Sequence, residues 1–155
     1  APFDKIDVII HRESIIHSMV EYNDGSVIAQ MSYPSMELPI EIALSYPERK
    51  ISGLKSLDFA KIGKLTFEKT DNERFPCLNL VISAGKAGGL YPAVVNGANE
   101  QAVKLFLEQK IKYNDIYAGL DFALSSFSDN AKPSLDSVTV ADAFGRNAVK
   151  KLFGE

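Results

Sequence analysis

Asp24-Gly25 stands between two apolar-rich runs, Ile15–Tyr22 and Ser26–Tyr33, and this arrangement limits the fold of the chain more than any other feature. Glycine enters the positive φ that a tight reversal needs, so an Asp-Gly pair between two such runs predicts a β-hairpin. Pro34 stops the second strand, because it has no N–H to give to a ladder. Glu37–Ser45 then reads as a short helix, with Pro39 near its start and Pro47 beyond its end. Upstream, residues 6–10 are rich in β-branched side chains and alternate little, the pattern of a strand buried on both faces. Arg49–Lys69 has two glycines, Gly53 and Gly63, and no sustained period. It reads as a linker with short elements around Leu54–Phe59 and Lys64–Phe67.

From Thr70 the period becomes helical. Thr70-Asp71-Asn72-Glu73 has the form of a capping box, in which hydroxyl and carboxylate satisfy free amides at a helix start. That helix is expected to run to about Ala87 and to end at Gly88-Gly89. A second spans about Pro92–Gln109, with Val95, Ala98, Ala102, Val103 and Phe106 at helical spacing. A third spans about Asn114–Phe127, with Ile116, Leu120, Ala123, Leu124 and Phe127 on one face. A fourth runs from about Ser137 to Phe153. The expected class is α+β: a hairpin-containing piece over residues 1–69, then a four-helix bundle-like domain over 70–155.

Composition excludes several functions. Among 155 residues, 17 Lys and Arg nearly balance 20 Asp and Glu, and a net charge of −3 gives nucleic acid no electrostatic footing. The basic cluster of Arg146, Lys150 and Lys151 lies at the end of the last helix, where it complements the helix dipole. Cys77 is the single cysteine, which rules out an intrachain disulfide and suits a reducing compartment. In its apolar setting it reads as a buried, inert thiol. No apolar stretch approaches the ~20 residues that span a bilayer, so no membrane partner is expected. Asp4, Lys5 and Asp7 do not suit a signal peptide.

Two histidines stand among β-branched residues. In a continuous strand, His11 and His17 would share a face, as a metal pair would. No third ligand stands at a recognisable spacing, so both read first as structural or hydrogen-bonding groups. Pro34 and Met36 flank the end of the hairpin and read first as a strand stop and a core methionine. Asp71-Asn72-Glu73 is explained as a helix cap and not as a metal site. Asn96, Asn99 and Glu100 lie at helical spacing and read as solvated polar residues, or as groups pinning the bundle to a neighbouring domain.

The order of these segments resembles a known family. Asp7–Val20, Asn23-Asp24-Gly25-Ser26, Tyr33-Pro34-Ser35-Met36, Tyr46-Pro47-Glu48-Arg49, Arg74-Phe75-Pro76-Cys77-Leu78, Pro92–Glu100 and Lys112–Ile116 follow the pattern of 1-deoxy-D-xylulose 5-phosphate reductoisomerases. Departures are Arg12-Glu13 where the pattern often has Pro-Gln, Ser35 where Asp is usual, and Gly97 where Ala is usual.

The resemblance implies a parent enzyme that rearranges a phosphorylated sugar and reduces the product with NADPH and Mg²⁺ or Mn²⁺, as a homodimer. It implies that residues 1–69 close a catalytic domain. His17 would orient substrate, and Pro34 and Met36 would line its apolar wall opposite a mobile lid. No G-x-G-x-x-G follows a strand here, since Gly85-Lys86-Ala87-Gly88-Gly89 is expected to end a helix. The family's Asp-x-Glu metal motif and its phosphate-holding residues are not found in this stretch. The chain is therefore expected to be a truncated piece, inactive alone, from a bacterial cytoplasm or a plastid-type organelle. A reading from another class is a stand-alone dimerisation or interaction module, because the hairpin edges have no evident partner.

Overall fold

The computed structural model describes residues 3–128 and 131–154. Contacts divide the chain into two compact units, Val8–Thr70 and Asp71–Glu155 together with Ala1–Asp7.

In the first unit, β1 (Ile9–Ile10) is followed by a turn in which Ser14 takes φ 49°. β2 (Ile16–Glu21) and β3 (Val27–Met31) then form the antiparallel hairpin, closed by the pair Glu21↔Val27. The turn forms for the expected reason: Gly25 sits at φ 81°, and Tyr22 N–H donates to the Ser26 carbonyl at 2.9 Å. Asp24 Oδ1 accepts from the Ser26 amide (2.9 Å) and hydroxyl (2.6 Å), bonds that hold its carboxyl below the usual range. α1 spans Glu37–Ser45. Ser35 does what an aspartate would do there, since its Oγ accepts from the Glu37 amide at 3.1 Å. α2 (Phe59–Ile62) is capped by the Asp58 side chain and ends at Gly63, φ 72°. β4 (Glu68–Lys69) returns to pair with β1, Ile9↔Lys69 and Ile10↔Glu68.

The expected strand over 6–10 is cut to Ile9–Ile10, and it is not buried on both faces. It pairs along one edge only, and Val8 and Ile9 remain about 40% exposed. Ile15 is the one buried apolar side chain of this unit, while Met19, Val20, Val27 and Ile28 of the hairpin are exposed. A two-stranded ribbon with so little buried is marginal by itself in water.

The second unit carries the core. α3 spans Pro76–Ala87, α4 Tyr91–Leu107, α5 Asp115–Ser126 and α6 Leu135–Phe153. The first begins five residues later than the capping pattern suggests. Pro76 drives Phe75 out of helical geometry (φ −124°, ψ 60°), so no helix can cross it from Thr70. Asp71 instead closes a turn, its Oδ1 accepting from the amides of Glu73 and Arg74. α6 begins two residues earlier than expected. Ser134 and Ser137 cap each other's amides reciprocally, at 3.2 and 2.8 Å. Gly88 ends α3 and Gly154 ends α6, both at positive φ.

α4 is the central helix: Val94, Ala98, Ala102 and Leu105 are buried with Leu120, Ala123, Ala141, Ala148 and Val149. α4 and α6 approach backbone to backbone. A Cβ on Gly145 would lie 2.9 Å from Ala98 N and closer still to the Val94 carbonyl oxygen. One on Gly97 would meet Asp142 in the same way. The one-turn 3₁₀ helix Phe3–Lys5 also belongs here, because the Phe3 ring occupies the space where Gly85 of α3 lacks a side chain.

Candidate functional site

His17 does not follow the alternation of its strand. The ladder runs Ile16↔Met31 and then Ser18↔Gln30, so His17 is an extra residue, a β-bulge. Bulges re-aim side chains and recur beside active sites. The exposed ring is held at both nitrogens. Nε2 lies 3.0 Å from the Ser14 carbonyl oxygen, which can only accept, so Nε2 carries a proton. Nδ1 faces Gln30 Oε1 at 3.1 Å and Ser32 Oγ at 3.3 Å. Gln30 Nε2 in turn donates to Ser32 Oγ at 3.4 Å. Two local devices build this arrangement: the positive φ of Ser14 aims its carbonyl, and the bulge swings the ring over β3.

His11 belongs to a different network. Its side chain is 7% exposed and stacks on Phe67 at 4.9 Å. Nδ1–H donates to the Thr66 carbonyl (2.9 Å) and Nε2 accepts the Ile15 amide (3.1 Å). Glu13 Oε1 accepts the Thr66 hydroxyl and amide at 2.8 and 3.1 Å, which holds its carboxyl below the usual range. Glu13 Oε2 lies 3.1 Å from His11 Nδ1 but off the N–H direction, and accepts no hydrogen bond. The turn and the bulge break the continuous strand on which the two histidines would have shared a face. His11 is a structural histidine tying the turn to the segment before β4.

Pro34 and Met36 follow β3 and precede α1, and both are exposed, Met36 at 69%. Within its own unit Met36 is therefore not a core residue. A cavity of about 410 Å³ opens at this end of the hairpin, lined by Met31, Ser32, Tyr33, Ser35, Lys55 and Leu57 among others. Lys55 Nζ sits 5.1 Å over the Tyr33 ring. Ser32 joins the two features, since its hydroxyl reaches His17 and also lines the cavity. His17, Pro34 and Met36 are not among the lining residues.

In the helical unit Arg146 does not serve the helix end. Its guanidinium binds Asp142 on its own helix (Nε···Oδ2 2.6 Å) and Glu100 of α4, and the two carboxylates raise its proton affinity. Arg146, then Asn96 at 3.2 Å, holds the Glu100 carboxyl below its usual range. Glu100 thereby finds its partners within the helical unit, although its side chain stays exposed. Cys77 is half-buried, and desolvation pushes its thiol up. It lines a groove of about 510 Å³ with Phe75, Asn99, Val103 and Tyr117. Among the described residues no group of three or more His, Cys, Asp or Glu side chains comes together, and Gly88 ends α3 instead of opening a helix toward a phosphate. The described residues therefore offer no such set of ligands to a divalent metal. No helix among the described residues is long and apolar enough to cross a membrane.

This is an α+β chain with a hairpin-borne histidine and a helical bundle, and known proteins share the arrangement. A family model described as the DXP reductoisomerase C-terminal domain matches residues 31–148, and the chain belongs to that family. The 1-deoxy-D-xylulose 5-phosphate reductoisomerase of Acetivibrio thermocellus is 48% identical over 151 residues, 97% of this chain and 40% of that protein. The enzyme of the same name from Chlorobium limicola is 49% identical over 153 residues, 99% of this chain and 40% of that protein. The solved reductoisomerase of Zymomonas mobilis, in complex with NADPH, gives a TM-score of 0.90 at 40% identity over 100% of this chain and 41% of that one. A DOX-P reductoisomerase structure holding NADPH, fosmidomycin and magnesium gives 0.86 at 34% identity, over 94% and 38% respectively. The chain thus spans about 40% of the length of the curated relatives it matches.

Proposed function

We propose that this chain supplies one wall of the substrate site of a DXP reductoisomerase, together with the helical bundle that follows it. The intact enzyme would rearrange 1-deoxy-D-xylulose 5-phosphate to an aldehyde and reduce that with NADPH to 2-C-methyl-D-erythritol 4-phosphate, a step of isoprenoid biosynthesis. We assign the nicotinamide and the Mg²⁺ or Mn²⁺ ion to parts of the enzyme outside these 155 residues. The observation that carries the reading is His17 on its bulge, anchored through Nε2 to a backbone carbonyl while Nδ1 faces only exchangeable side chains. A substrate oxygen that displaced Ser32 Oγ would find Nδ1 oriented to bind it. Pro34 and Met36 would close the apolar side, the flexible thioether adapting to the substrate's carbon skeleton.

The test is NADPH oxidation by the intact protein with the substrate and Mg²⁺. His17→Asn is expected to lower kcat at least tenfold, and Met36→Ala to raise KM. Wild-type turnover in His17→Asn overturns the reading.

A homodimer joined through the hairpin unit has its own support, namely the exposed Met19, Val20, Val27 and Ile28 on an uncovered two-stranded ribbon. Sedimentation equilibrium of the intact protein checks it, and a monomer at all concentrations refutes it. The setting would be a bacterial cytoplasm or a plastid-type organelle, and the relatives named above are bacterial.

A further inference from the structure

We infer that Gln30 is a positioning residue for His17, holding the ring over β3 and matching its protonation state by rotation of the side-chain amide. This rests on the assignment of His17 to the substrate site.

The ring's orientation has three determinants. Ser14 O takes the Nε2 proton, the bulge sets the direction of the side chain, and Gln30 with Ser32 meets Nδ1. Among these, Gln30 alone offers both a donor and an acceptor in one rigid group. With Oε1 toward Nδ1, as here at 3.1 Å, the amide accepts from a protonated Nδ1 and its NH₂ donates to Ser32 Oγ at 3.4 Å. When Nδ1 carries a lone pair, that orientation sets two acceptors against each other. A half-turn of the amide then presents NH₂ to Nδ1, and the Ser32 hydroxyl donates to the displaced oxygen. Both states of the ring are therefore satisfied with no movement of the imidazole. The partners of the ring, the Ser14 carbonyl, the Gln30 amide and the Ser32 hydroxyl, are all uncharged groups.

A hydrocarbon at position 30 keeps the volume and loses both functions. A carboxylate keeps the acceptor and loses the donor. In the intact enzyme, Gln30→Leu is expected to lower kcat about tenfold with KM within about twofold, the scale of one lost oriented hydrogen bond. In ¹⁵N spectra of the histidine-labelled protein, the wild-type ring holds its proton on Nε2 across the neutral range. Gln30→Leu should keep that tautomer, because the Ser14 carbonyl still accepts the Nε2 proton, and should move the Nδ1 resonance toward that of an unbonded nitrogen. Gln30→Glu, which serves should the leucine variant fail to fold, should keep the ring doubly protonated to higher pH and move the pH profile of kcat with it.

Wild-type kcat, or a lowered kcat with an unaltered ring spectrum, overturns the inference in Gln30→Leu. An unmoved spectrum and pH profile overturns it in Gln30→Glu. An impaired His17→Asn beside either result leaves the functional assignment standing and removes only Gln30's part. An unimpaired His17→Asn removes both.

Discussion

Gly145→Ala tests the close packing of the helical unit. The added methyl would stand 2.9 Å from Ala98 N, 3.1 Å from the Val94 carbonyl carbon and closer still to its oxygen. These are backbone atoms in the first half of α4, so no side chain can swing aside, and the two helices have to separate. That opens a seam formed by Val94, Ala98, Ala141, Ala148 and Val149, none more than 7% exposed. Overpacking of this kind costs about 1–3 kcal/mol. Replacing a mid-helix glycine by alanine returns roughly 1 kcal/mol of intrinsic helix preference. Because the clash is with backbone, the upper half of that range applies, about 2–3 kcal/mol, and the net expectation is a loss of about 1–2 kcal/mol, a fall in melting midpoint on the order of 5–10 °C for a unit of this size. Gly119→Ala is the matched control. There the nearest atom to a new Cβ is a Val149 methyl at 3.4 Å, an ordinary contact, so the helix preference should show as an unchanged or raised midpoint. Thermal denaturation followed by circular dichroism reads both. A Gly145→Ala protein that melts at or above the wild type would refute the argument.

Gly97→Ala should also lower the midpoint, because its Cβ would press on the Asp142 backbone. Melting curves of the single variant decide it. In hydrogen exchange on the 155-residue polypeptide, amides of α4 and α6 should be protected far longer than those of β2 and β3, whose unit buries one apolar side chain. Equal protection would contradict the uneven core. Glu100→Gln should be less stable than the wild type at neutral pH, with the difference vanishing in acid. A carboxyl held below its ordinary 4.5 adds stability that is complete above that value and lost as pH falls through the depressed one. Denaturant midpoints across that range check the sign.

Local chemistry made much of this fold legible. Asp24-Gly25 marked the hairpin, and the prolines at 39 and 47 bracketed α1, because those residues act on their own backbone. Amphipathic spacing located α4 and α5 to within two residues at either end. Where two local rules competed, pattern reading chose wrongly. The Thr70–Glu73 box looks complete, yet Pro76 controls the conformation before it. What escaped altogether depends on distant partners. Glu13 meets Thr66 across 53 residues, and Arg146 meets Glu100 across 46. The bulge at His17 has no signature in its own segment, since it exists only as a mismatch of count between two strands. Gln30 carries no signal of its own for the same reason. A glutamine among strand residues becomes informative only once register places it under the ring.

The Phe3 ring seated at Gly85 has a topological consequence. The segment around Phe3 packs in the helical unit, Val8–Thr70 forms the other unit, and the chain is back in the helical unit from Asp71, with Ile9 and Lys69 paired at the neck of the detour. An excursion whose outgoing and incoming strands are stitched together can be lengthened, shortened or exchanged at its far end without rerouting the helices. Such an architecture lets evolution revise the histidine-bearing lobe and the bundle on separate schedules.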